Sequence, residues 1–80
     1  MKIVWKRGLD DQQTKDLEQR YKEAGLLRRR LDVLLRDMIE STRAGAVAER
    51  QYDSPNWAYL QADRAGYERA LRDIISLIED

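Results

Sequence analysis

The apolar residues between Leu17 and Met38 fall on one helical stripe, and that spacing constrains the fold more than any other feature of the chain. Leu17, Ala24, Leu31 and Met38 recur every seven residues, with Leu27 and Leu34 three positions after two of them and Tyr21 and Leu35 four positions after two of them. Such intervals place side chains on one face of an α-helix. The surrounding stretch is rich in Leu, Arg, Glu, Lys, Gln and Ala and opens with Asp10 and Asp11, acids suited to the positive end of a helix. Gly25 interrupts the stripe at a cost of about 1 kcal/mol relative to Ala. Because the stripe keeps its phase across the glycine, the spacing predicts one continuous helix over 10–44. The stop signal is Arg43 in the last turn ahead of Gly45, with fraying expected through Ala46, Val47 and Ala48.

A second helix is predicted over 55–78, with 45–54 as the connecting loop. Ser54 suits an N-cap and Pro55 the first helical position, and behind them Trp57, Leu60, Tyr67, Leu71, Ile74 and Ile78 form a stripe flanked by small alanines. Two similar stripes joined by a short connection predict an all-α fold, an antiparallel helical hairpin in a single domain over 1–80. At about 1.5 Å per residue the first helix outruns the second, leaving the turns around Leu17 and Tyr21 uncovered. Ile3, Val4 and Trp5 give residues 1–8 strand-like composition, so a short extended N-terminal segment is expected, paired with its copy in a second subunit or packed on a helix through Trp5.

A chain of 80 residues buries only about 60% of the surface its unfolded form exposes. Leu26, Leu27, Leu34, Leu35, Ile39, Ile75 and Leu77 also widen the apolar surface beyond one seam. Dimerisation into a helical bundle, coiled-coil in character, is the expected completion.

Composition narrows the chemistry. There is no His and no Cys, which removes imidazole and thiol catalysis, tetrahedral zinc sites and disulfides. Apolar runs reach four residues at most, at Trp57 to Leu60, against roughly 20 for a bilayer span, and the first residues lack the apolar stretch of a signal peptide. A soluble protein of the cytoplasm is expected, with no membrane contact and no cofactor. Carboxylate pairs such as Asp10 and Asp11, Asp32 and Asp37, or Glu79 and Asp80 have no His to complete a helical di-metal site, and no phosphate-binding loop or nucleophile elbow occurs. The chain is expected not to be an enzyme.

The run Arg28, Arg29, Arg30 is the most conspicuous charged feature. On a helix the three point about 100° apart, and acids lie at four-residue spacing nearby. Residues 1–40 carry 10 basic and 8 acidic groups and residues 41–80 carry 5 and 7. No basic face survives that balance, so nucleic-acid binding is not expected. Arg28 and Arg64 fall on the apolar stripes, each expected to lay its stem along the seam and meet a carboxylate such as Asp32 or Asp63, or else to mark an opening for an anion. Arg28, Arg29, Arg30 and Arg64 are therefore the candidate anion-binding residues. Among the aromatics, Trp57 and Tyr67 are expected in the core. Trp5, Tyr21, Tyr52 and Tyr59 are candidate partner-binding residues, since exposed aromatic side chains commonly anchor interfaces.

The stretch from Tyr52 through Ser54, Pro55, Asn56, Trp57, Ala58 and Tyr59, continuing through Gln61, Ala62, Asp63, Gly66, Tyr67, Ala70 and Leu71, resembles a pattern found in small bacteriophage accessory proteins. The resemblance implies a phage-encoded protein acting inside a bacterium; such proteins often bind and inhibit a host protein, and some sequester nucleotide signals used in defence. Three functions follow as expectations. The first is a non-enzymatic dimeric protein that binds and modulates a host or phage protein. The second is a nucleotide-sequestering protein, and the third a virion component or nucleic-acid binder.

Overall fold

The computed structural model describes residues 1–49 and 57–79. A short 3₁₀ turn at Ile3–Lys6 precedes three helices, α1 (Asp11–Glu23), α2 (Gly25–Glu49) and α3 (Trp57–Ile78). The fold is all-α, and no strand occurs among the described residues. The expected N-cap at Ser54 and first-turn Pro55 lie outside the described residues, as do residues 50–54 of the expected 45–54 loop, while 45–49 are helical.

The N-terminus of α1 follows directly from its sequence. Asp10 is the N-cap in extended conformation, its carboxylate accepting from the Gln13 backbone N–H at 2.8 Å while the Gln13 side-chain oxygen accepts from the Asp10 N–H at 3.1 Å. This reciprocal capping box satisfies two N–H groups that the helix itself leaves unpaired.

The structure departs from the sequence reading in three places. Residues 3–6 form a 3₁₀ turn, not an extended segment, because Trp5 N–H bonds Lys2 O at 3.1 Å and Arg7 N–H bonds Val4 O at 3.3 Å. Those local bonds satisfy backbone groups that a lone strand would leave open. Gly8, at φ 81°, then turns the chain toward α1 in the left-handed region that glycine occupies without Cβ strain. Second, the helix expected over 10–44 is divided at Ala24, which sits at φ −87°, ψ 13°. The N–H of Ala24 still reaches Arg20 O at 3.0 Å and Ala24 O still accepts from Arg28 N–H at 2.8 Å, so α2 begins with little lost hydrogen bonding. Third, α2 passes Gly45 and runs to Glu49; Gly45 keeps negative φ, so the cap pattern in the sequence is not used.

The core lies between α2 and α3, where Leu35 and Ile39 meet Leu71, Ile75 and Ile78, with Trp5 packed against the cluster. Arg36 of α2 binds Glu79 at 2.9 Å and Arg43 binds Glu68 at 2.7 Å, so positions ascending α2 meet positions descending α3. The chain extends over 57 × 25 × 12 Å. Two helices stacked 8–10 Å apart would need about 13–15 Å between outer Cα atoms. The helices therefore lie in a single layer.

Two substitutions test this account. A Cβ at Gly25 would meet only Arg28 Nη2, at 3.7 Å, in ordinary contact. Gly25→Ala should raise stability by up to about 1 kcal/mol through helix propensity, a gain of a few degrees in Tm. Ile39, the most buried hydrophobic side chain among the described residues at 2% exposed, should cost about 2–4 kcal/mol when cut to Ala. Thermal and urea unfolding followed by circular dichroism read both.

Candidate functional site

Arg28 stands at the junction of all the elements. Its Nε and Nη2 donate to Tyr21 O at 3.2 and 3.0 Å, and its Nη1 donates to Ile78 O at 3.3 Å. The guanidinium carbon lies 3.6 Å from the centroid of the Tyr21 ring, a cation–π geometry. Tyr21 is buried, and its hydroxyl also reaches Ile78 O, at 3.4 Å. Trp5 meets the Tyr21 ring edge-on at 5.9 Å and donates from Nε1 to Leu77 O at 2.7 Å.

These contacts have one electrostatic logic. The last carbonyls of α3 lack intrahelical donors and carry the negative end of the helix dipole. A guanidinium, a phenol and an indole supply the donors from residues some 50 to 70 positions away. The carbonyl of Tyr21, which an unbroken helix would pair with the N–H four residues on, takes two guanidinium donors. Arg28 thereby stabilises both the break at Ala24 and the end of α3.

Among the contacts described for Arg28 are two backbone carbonyls and an aromatic ring. One expectation is corrected. Tyr21 is buried against the end of α3 and not left on an uncovered overhang. The sequence signal available was a cation on the apolar stripe; what it could not show is which carbonyls the far end of the next helix would present.

The other candidate residues gather only in part. Arg29 and Arg30 are exposed, and Arg29 lines one groove with Arg28, Asp32 and Glu79. Arg64 is half-buried and lines a groove with Thr42, Arg43, Gln61 and Glu68. That groove lies about 15 positions along α2 from Arg28, about 20 Å at 1.5 Å per residue. The four arginines do not converge. A separate groove of about 330 Å³ at the α1 end is lined by Lys6, Glu18, Tyr21, Lys22 and Arg28. Tyr59 is 79% exposed, and Tyr52 lies outside the described residues. Among the described residues no cluster of carboxylates forms that could hold a metal ion, and no helix is long and apolar enough to cross a membrane.

The two broad sides of the α2–α3 layer differ in chemistry. On one side Arg36 pairs with Asp32 and Glu79, Arg43 with Glu40 and Glu68, and Arg72 with Glu68. The guanidiniums of Arg36 and Arg43 are held more firmly protonated by the hydrogen bonds they donate to Asp32 and Glu68 respectively. The other side is apolar. At about 100° per residue, Leu27, Leu31, Leu34 and Met38 cluster roughly 90° around α2 from the core-facing Leu35 and Ile39. Tyr67, Ile74 and Leu77 are displaced from the core face of α3 toward the same side, and Leu34, Met38 and Tyr67 line one shallow groove. All seven side chains are more than a third exposed, Leu27 at 71%. Tyr67 and Ile74, expected in the core, are surface residues here, because one layer gives each helix a single buried seam.

Comparison with known protein families, with curated proteins and with solved structures finds no match to this chain.

Removing single donors should measure the Arg28 junction. Trp5→Phe should cost about 1 kcal/mol by deleting the bond to Leu77 O. Arg28→Lys should cost about 1–3 kcal/mol, since an ammonium cannot reproduce a fork that spans two carbonyls. Urea unfolding reads both, and a Lys variant as stable as the native chain would contradict the role given to the guanidinium.

A pH effect follows from the other end of the 330 Å³ groove. Lys6 Nζ binds Glu18 at 2.9 Å, and its hydrogen bond and charge hold the Glu18 carboxyl below its ordinary 4.5. A depressed carboxylate stabilises the folded state above its unfolded pKa and loses that contribution as pH falls through the folded one. Unfolding between pH 5 and 3 should therefore be less steep in Glu18→Gln than in the native chain. The effect should shrink in salt, because both groups are exposed.

Proposed function

We propose that this chain is a non-enzymatic helical interaction protein. In this reading α2 and α3 form an antiparallel hairpin, a second copy completes the bundle, and exposed aromatic residues remaining outside it engage another protein. The observation that carries it is the distribution of apolar surface. Among the described residues thirteen large apolar side chains are exposed and six are buried, so most of the apolar material lies outside the core. Soluble monomers seldom expose connected apolar patches beyond about 300–600 Å², and the seven-residue side of α2 and α3 is on the order of 600 Å² by its fractional exposure. A covered state explains that surface.

The resemblance to phage accessory proteins gives the partner class: a protein of the bacterial host, met in the cytoplasm and inhibited or modulated by binding. Tyr59, 79% exposed on α3, is the anchor best placed to meet it, with Trp5 and Tyr21 engaged within the chain. Immobilised protein incubated with bacterial lysate should retain a defined host protein, identified by mass spectrometry, and Tyr59→Ala should reduce that retention about tenfold or more, a hot-spot loss. Equal retention by the two forms would remove Tyr59 from the interface.

A second reading, a nucleotide-sequestering protein, is favoured by one observation, the groove lined by Lys6, Lys22, Arg28 and Tyr21 together with Glu18. Thermal-shift measurements with mono-, di- and cyclic nucleotides separate the two. A nucleotide at about 100 times its Kd should add about 2.7 kcal/mol of stability, whereas the interaction reading expects no shift.

A further inference from the structure

We infer that the side of α2 carrying Leu27, Leu31, Leu34 and Met38 is the contact with a second copy of this chain, and that the two α2 helices cross it antiparallel. This rests on the reading of the protein as an interaction module and names the surface and geometry of its self-association.

Three observations on α2 point to a second copy as the occupant. First, the apolar stripe is self-complementary. The intervals from Leu27 to Leu31 to Leu34 to Met38 are four, three and four residues, a pattern that reads the same in both directions. A copy running the opposite way sets Leu31 against Leu34 and Leu27 against Met38 in successive layers. Such alternation is the packing of an antiparallel coiled coil. Second, the flanking charges fit the same orientation. Arg30 and Asp37 lie one heptad apart along the same edge of the stripe, both exposed and neither in an ion pair among the described residues. Antiparallel crossing brings Arg30 of one copy beside Asp37 of the other, and two-fold symmetry makes that pair twice. A parallel crossing at the same stripe leaves both charges without a counterpart.

Third, the area is right for a dimer and the geometry leaves room for one. The α2 stripe together with its α3 flank of Tyr67, Ile74 and Leu77, on the order of 600 Å² per copy, gives a total near 1,200 Å², the lower end of stable interfaces. The stripe lies about a quarter turn around α2 from the seam with α3, the angle at which a bundle helix meets its second neighbour. The ion-paired side, with its in-chain partners already made, has no comparable need of cover.

Charge exchange tests the geometry without touching the core. Sedimentation velocity across a concentration series should give a wild-type dimer that Arg30→Asp and Asp37→Arg each weaken by about tenfold, because each substitution sets like charges together twice. The double variant, with both pairs reversed, should recover most of the wild-type affinity. A double variant as weak as the singles would overturn the inference. Cysteine substitution gives an independent readout in a chain that has none. An oxidised mixture of Leu31→Cys and Leu34→Cys chains should give the mixed disulfide in preference to either homodimer, and preferential homodimers would show parallel packing and overturn it. A wild type that is monomeric throughout overturns the inference outright. Loss of host-protein retention by Tyr59→Ala is measured separately, so failure of the dimer and failure of partner binding are distinguishable.

Discussion

A helix pair has one seam, and a helix whose apolar residues spread over more than one seam must find a second neighbour. The α2–α3 layer buries Leu35, Ile39, Leu71, Ile75 and Ile78 between its two helices and, at 12 Å, is too thin for a second layer of helices stacked over it. Domains ordinarily stack two or more layers around a core. Here one broad side meets water through a lattice of arginine and carboxylate pairs, while the other presents leucine, methionine, isoleucine and tyrosine.

The Arg28 junction keeps that layer from being only two helices. Without it, the end of α3 would carry unpaired carbonyls beside a helix whose own ladder is interrupted at Ala24. One guanidinium serves both, lying on the Tyr21 ring as it does so. Tyr21 and Trp5 thereby extend the buried cluster past the last turn of α3 and draw α1 and the 3₁₀ turn against it. The same commitment lowers the case for Arg28 as an anion ligand, because its donors face carbonyls of its own chain.

The helical class, the start of α1 at Asp10 and the second helix to Ile78 were legible in the sequence, because capping residues and a 3.6-residue period act locally. The break at Ala24 was not legible. The phase of the stripe across Gly25 argued for continuity, and at the break the Tyr21 carbonyl takes donors from Arg28, which also reaches the distant end of α3. Residues 3–6 misled in a similar way: their β-branched and aromatic composition suggested a strand, yet no neighbouring strand is present among the described residues and local 3₁₀ bonds prevail. Burial was legible only in part. Periodicity placed Leu35 and Leu71 correctly at the seam but also placed Tyr67 and Ile74 there, since period alone cannot say how many neighbours a helix has.

If the apolar side of α2 is a contact and not a bare surface, the mass of the particle in solution must say so. Sedimentation equilibrium over micromolar to millimolar protein should move from the 9.5 kDa of one chain toward twice that value as concentration rises. A mass that stays at 9.5 kDa throughout would contradict the account at its centre.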